Sequence, residues 1–107
     1  MIKVVYHRNY YRLTVDGHAY SGEPGNDLVC AAASALAYTL AANVANMADN
    51  GHVRIESMEL SSGKAEISCK PRNGVRATVS MVFQTVCVGF EILAKDYPEY
   101  IRYEILG

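Results

Sequence analysis

The chain has no tryptophan, only two phenylalanines and three prolines, and three cysteines among its 107 residues. An odd number of cysteines without paired spacing fits reduced thiols better than a disulfide framework. Charge of either sign is also scarce. Ten Lys and Arg against eleven Asp and Glu leave a net charge of −1, without the basic excess of a general nucleic-acid binder. No apolar run approaches the ~20 residues that span a bilayer, so no membrane segment is expected. The opening Met1-Ile2-Lys3-Val4-Val5-Tyr6 reads as a strand and not as a signal peptide. These absences together imply a cytoplasmic protein. What is abundant is apolar: 50% of residues are hydrophobic, which excludes a disordered chain. The length suits one domain, residues 1–107, with a modest core. No linker or internal repeat divides it.

Periodicity assigns the elements. Ile2 to Tyr6 is β-branched and aromatic, a first strand. His7-Arg8-Asn9 is a turn, and Tyr10 to Val15 alternates as the second half of a hairpin. A long Ala-rich helix runs from about Leu28 to Ala48 and is closed by Asn50-Gly51. Val53 to Leu60 and Lys64 to Lys70 form a second hairpin around Ser61-Ser62-Gly63. Ala65, Ile67 and Cys69 face its core side, with Ser68 on the opposite side. A second helix spans about Val75 to Tyr97, with a stripe at Val79, Val82, Phe83, Val86, Phe90 and Leu93 and with Cys87 at its border. Pro98 stops it, and Tyr100 to Leu106 is a last strand. The order ββαββαβ predicts an α/β (α+β) two-layer sandwich: a largely antiparallel sheet covered by two helices.

The chemistry concentrates between Gly17 and Leu36. A strand ends at Asp16-Gly17 and delivers His18; a loop with Gly22, Pro24 and Gly25 follows; then the Ala-rich helix opens with Cys30 in its first turn. Asn26 and Asp27 are both good N-cap residues. The free N–H groups and the helix dipole favour an anion at Cys30. A thiol so placed, with an imidazolium beside it, reaches a pKa of roughly 3.5–7.5. His18 precedes Cys30 by twelve residues, and a loop that folds back would bring the two together. Backbone N–H groups at the helix start, that of Cys30 included, would then hold an oxyanion. Against this stands the plainer assignment of Cys30 as a small core residue. Asp27 would cap the helix, orient His18 or hold the loop. Ser34, one helical turn beyond Cys30, would contact the thiol or a substrate backbone, or bond back to a helix carbonyl. Gly22 and Gly25 have the composition of hinges for a gate over residues 19–25. His7 and His52 sit at turns or strand ends without ligand partners at metal spacing, so the sequence offers no metal site.

The run Gly17-His18-Ala19, then Gly25-Asn26-Asp27-Leu28-Val29-Cys30-Ala31-Ala32-Ala33-Ser34-Ala35-Leu36, resembles the signature of the ribosomal-processing cysteine protease family, Prp. That signature is a Gly-His, a short Gly-containing loop, Gly-x-Asp-[Ile/Leu]-Val-Cys-Ala, and a Ser one turn later. The resemblance implies a cysteine endopeptidase that removes an N-terminal extension from a precursor large-subunit ribosomal protein. It also implies catalytic roles for His18 and Cys30, with Gly17, Asp27 and Ser34 at other motif positions. No cofactor, nucleic acid or membrane partner is expected. A homodimer is, because the two apolar helices offer more surface than a small domain buries. Two other functions compete: a non-catalytic ribosome-associated binding module, and a thiol enzyme acting on a small molecule.

Overall fold

The computed structural model describes residues 1–19 and 27–107. The elements are β1 (Ile2–His7), β2 (Arg12–Asp16), α1 (Leu28–Asp49), β3 (Val53–Ser61), β4 (Lys64–Pro71), α2 (Arg76–Asp96) and β5 (Ile101–Leu106). The five strands form one sheet in the order β3-β4-β2-β1-β5. Three ladders are antiparallel, and only β5 joins β1 in parallel. β4 runs parallel to β5, so the chain reaches β5 through the α2 crossover, because two parallel strands cannot be joined by a tight turn. The fold is thus the α+β sandwich that the order ββαββαβ predicts.

Alternation builds the core from the sheet side. Ile2, Val4 and Tyr6 of β1, Leu13 of β2 and Ala65, Ile67 and Cys69 of β4 are all buried. The helices supply Val29, Ala33, Ala37, Leu40, Ala41 and Val44 from α1, and Val79, Phe83, Val86, Cys87 and Phe90 from α2. Phe83 is the centre: its ring stacks on Tyr6 at 5.6 Å and meets Tyr11 edge-on at 6.3 Å. The two helices touch where Gly89 leaves room for Leu36; a Cβ on Gly89 would stand 2.7 Å from a Leu36 methyl.

Several expectations need correction. The second strand begins at Arg12 instead of Tyr10, because Tyr10 donates its N–H to the His7 carbonyl in the turn and Tyr11 has a φ of 47°. Cys87 lies within the core and not at its border. Ser68 is completely buried on the opposite face of the sheet, where its hydroxyl pairs with Ser57 beside a bulge in β3. His7 is half-buried, while His52 is exposed. The apolar runs are also longer than the sequence reading allowed. Both helices are long and apolar enough to cross a membrane by length and composition. Each nevertheless lays its apolar stripe in the core, with Leu40, Val44, Phe83 and Phe90 sealed from solvent.

Phe83→Ala is expected to cost about 3–5 kcal/mol, since it removes a sealed ring and leaves a cavity. Phe83→Leu should cost clearly less. Urea unfolding monitored by circular dichroism measures both, and a loss below about 1 kcal/mol for the alanine variant would show that Phe83 is not the keystone.

Candidate active site

Where β2 ends, Gly17 takes a φ of +104°, and a side chain there would collide with the Met1 carbonyl. Its N–H donates to the Gly63 carbonyl at 2.8 Å, which ties the strand end to the β3–β4 turn. His18 follows, half-buried. Its carbonyl accepts from the Met1 nitrogen at 2.6 Å. The next N–H, that of buried Ala19, donates to Cys30 Sγ at 3.2 Å. These two bonds act on opposite ends of one peptide unit. A donor on its carbonyl polarises the unit and strengthens its N–H as a donor to sulfur.

The thiol comes from the other wall. Asp27 is the N-cap of α1, with extended φ and ψ of −80° and 99°, and its Oδ1 accepts from the Cys30 N–H at 3.0 Å. The Asp27 carbonyl accepts the first helical bond from Ala31 at 3.0 Å. Capping therefore places Cys30 at the third helical position, where the dipole favours a thiolate. The cap also overturns one expectation. The Cys30 N–H is already engaged by a carboxylate, so it is not a free oxyanion donor.

His18, Cys30 and Ser34 line one open cavity of about 390 Å³, together with Tyr38, Ser62 and Lys64. Cys30 is partly accessible, and Ser34 is exposed one turn beyond it. Thr39 and Thr85 bond back to helix carbonyls; Ser34 makes no such bond among the described residues and keeps its hydroxyl at the cavity. The hinge assignments at Gly22 and Gly25, and the gate they would serve, lie outside the described residues. What the sequence reading missed is the β3–β4 turn: Ser62, Gly63 and Lys64 form a wall of the site, although the sequence marks them only as a turn and a strand start.

The other two thiols are built to stay protonated. Burial, with the Glu56 charge adding to it, pushes Cys69 up to about 11. Burial also raises Cys87, with Glu91 adding and a hydrogen bond from Tyr103 opposing. Among the described residues, no group of three His, Cys, Asp or Glu side chains is placed to hold a metal.

A family model described as cysteine protease Prp matches residues 1–102. The chain belongs to the Prp family of cysteine proteases. The ribosomal processing cysteine protease Prp of Staphylococcus aureus strain Mu50 is 31% identical over 98 residues, which span 82% of this chain and 79% of that one. Among solved structures, S. aureus Prp with a covalently linked product peptide superposes with a TM-score of 0.73 at 24% identity, over 98% of this chain and 97% of that one. A Streptococcus mutans protein follows at 0.68 and 25% identity, over 98% and 91%. The Prp match covers both helices, the site walls and every strand but most of β5.

Two measurements check this geometry. Iodoacetamide at neutral pH should add one group to the Prp-family chain, at Cys30. A buried thiol with a raised pKa stays neutral and inert until its thiolate forms, so Cys69 should join only as pH climbs toward about 11. Equal labelling of all three thiols at neutral pH would contradict the assignment. Separately, Asp27→Ala should cost about 0.5–2 kcal/mol through loss of the cap, while Asp27→Asn should retain most of the stability. Thermal melts that rank the two variants equally would remove the capping role.

Proposed function

We propose that this protein is an endopeptidase that removes a short N-terminal extension from a precursor large-subunit ribosomal protein, with Cys30 as nucleophile and His18 as its base. The observation that carries the reading is the Ala19 N–H bond to Cys30 Sγ. It docks the thiol against the residue that follows His18, at a helix N-terminus and in an open cavity. The ribosomal substrate is supported by the relative's description as a ribosomal processing protease and by solved S. aureus Prp structures with product and substrate peptides.

The steps follow from the residues. His18 takes the Cys30 proton, and the thiolate attacks the scissile carbonyl carbon. Negative charge moves to the carbonyl oxygen. The Cys30 N–H is held by Asp27, so the remaining first-turn donors are the amides of Leu28 and Val29, which have no intrahelical acceptors. The tetrahedral intermediate collapses as His18 protonates the departing amine. This leaves a thioester on Cys30. His18 then takes a proton from water, whose oxygen attacks the thioester, and the thiolate leaves with the carboxylate product released. Cysteine and histidine supply all of this chemistry without a cofactor. A substrate made on ribosomes in the cytoplasm supports a cytoplasmic enzyme.

Assembly belongs to the same proposal. Met81, Val88 and Ile92 lie along one side of α2 and are 63%, 54% and 55% exposed. An apolar stripe of that kind suits a second copy of the chain across a two-fold axis.

Incubation with candidate precursor ribosomal proteins, followed by intact-mass measurement, tests the activity. Cys30→Ala should abolish cleavage with the fold intact, and His18→Ala should lose most of the rate. Cleavage by Cys30→Ala near the wild-type rate would overturn the nucleophile assignment. For assembly, sedimentation at micromolar concentration should show a dimer that Val88→Glu converts to monomer; a monomeric wild type would contradict it.

A further inference from the structure

The β3–β4 turn stands against the imidazole of His18. A Cβ placed on Gly63 would lie 2.5 Å from His18 Nε2, 3.1 Å from Cε1 and 3.2 Å from Cδ2. Real side chains do not tolerate 2.5 Å, so the ring occupies space that a Gly63 side chain would need. An atom in line with the Nε2 lone pair would stand further from both carbons than this. The turn therefore abuts the face of the ring near Nε2 and not its in-plane edge.

The contact is held from both sides. The Gly63 carbonyl accepts the Gly17 N–H at 2.8 Å, one residue before His18. Below it, Asp16 pairs with Lys64 in the β2–β4 ladder. The turn cannot move from the imidazole without breaking a ladder end. We propose that Gly63 is a positioning residue for the proton-transfer step: its missing side chain gives the imidazole a backbone wall that fixes the ring plane toward Cys30. This rests on His18 being the base of the mechanism above.

The structure supplies its own controls. Gly63 has a φ of +74°; Gly51 and Gly74 have +76° and +89°, but a Cβ on either meets nothing within 4 Å. Alanine at each position therefore carries comparable backbone strain, and only at Gly63 does it also displace an imidazole. Gly63→Asn adds a second probe, since Asn tolerates positive φ better than Ala yet still carries a Cβ.

The experiment measures the rate of Cys30 alkylation by iodoacetamide against pH, alongside turnover on the precursor protein, for wild type, Gly63→Ala, Gly63→Asn, Gly51→Ala, Gly74→Ala and His18→Ala. Misplacing a catalytic group by about 1 Å costs up to about a hundredfold. Both Gly63 variants should therefore lose about tenfold to a hundredfold in kcat with KM little changed, and the imidazole limb of the alkylation profile should move. Gly51→Ala and Gly74→Ala should lose thermal stability comparable to that of Gly63→Ala while keeping wild-type rate and profile. Wild-type kcat and profile in Gly63→Asn would overturn the inference, as would losses in all three alanine variants that track stability alone. If His18→Ala itself keeps the wild-type rate, the base assignment fails, and the positioning role with it. An inactive His18→Ala beside fully active Gly63 variants would sink the positioning role alone.

Discussion

One peptide unit holds this site together. The bond between His18 and Ala19 receives the Met1 nitrogen on its carbonyl and gives its N–H to Cys30 Sγ. It thereby joins the start of β1, the end of β2 and the first turn of α1. A thiol that accepts a backbone N–H at a helix N-terminus is favoured as an anion by two independent fields, the amide dipole and the helix dipole. The rest of the fold holds that peptide still.

Two demands compete at the helix start, and the structure resolves them by dividing the amides. A helix needs an N-cap, and Asp27 supplies it by engaging the Cys30 N–H. A thiolate and an oxyanion also need donors. The sulfur takes its donor from Ala19 outside the helix, and in the mechanism proposed above the earlier amides of the first turn serve the oxyanion. The acidic cap therefore stabilises α1 without removing the donor that the sulfur uses. The small buried residues that follow, Ala33 and Ala37, line the same cavity as Cys30.

Where residue type and period decide local structure, the sequence was legible. The seven elements, the buried alternation of Ala65, Ile67 and Cys69, and the stripe through Phe83 all follow from periods of two and 3.6. The Gly-His and Asp-x-x-Cys spacings pointed to a constellation at one strand end and one helix start. Legibility failed where neighbours decide. Ser68 read only as a residue on the sheet's other face, because nothing in β4 announces the bulge beside which Ser57 covers it. The second strand began two residues late because Tyr11 takes a left-handed φ that a tyrosine pattern does not signal.

By itself, then, the sequence determined the elements and their order and pointed to the residues proposed to bear the chemistry, since those depend on propensity, period and side-chain type within short windows. Only the tertiary structure decided how the chemistry is arranged. That the Cys30 amide is spent on the cap, that the sulfur is served by Ala19, and that Gly63 stands against the His18 ring are contacts between residues 3, 11 and 45 positions apart. The last depends on a sheet whose order, β3-β4-β2-β1-β5, brings a turn late in the chain beside a strand end early in it. The free energy that fixes such contacts comes from burying Phe83, Tyr6 and their neighbours together, a cooperative quantity that no single segment of sequence contains.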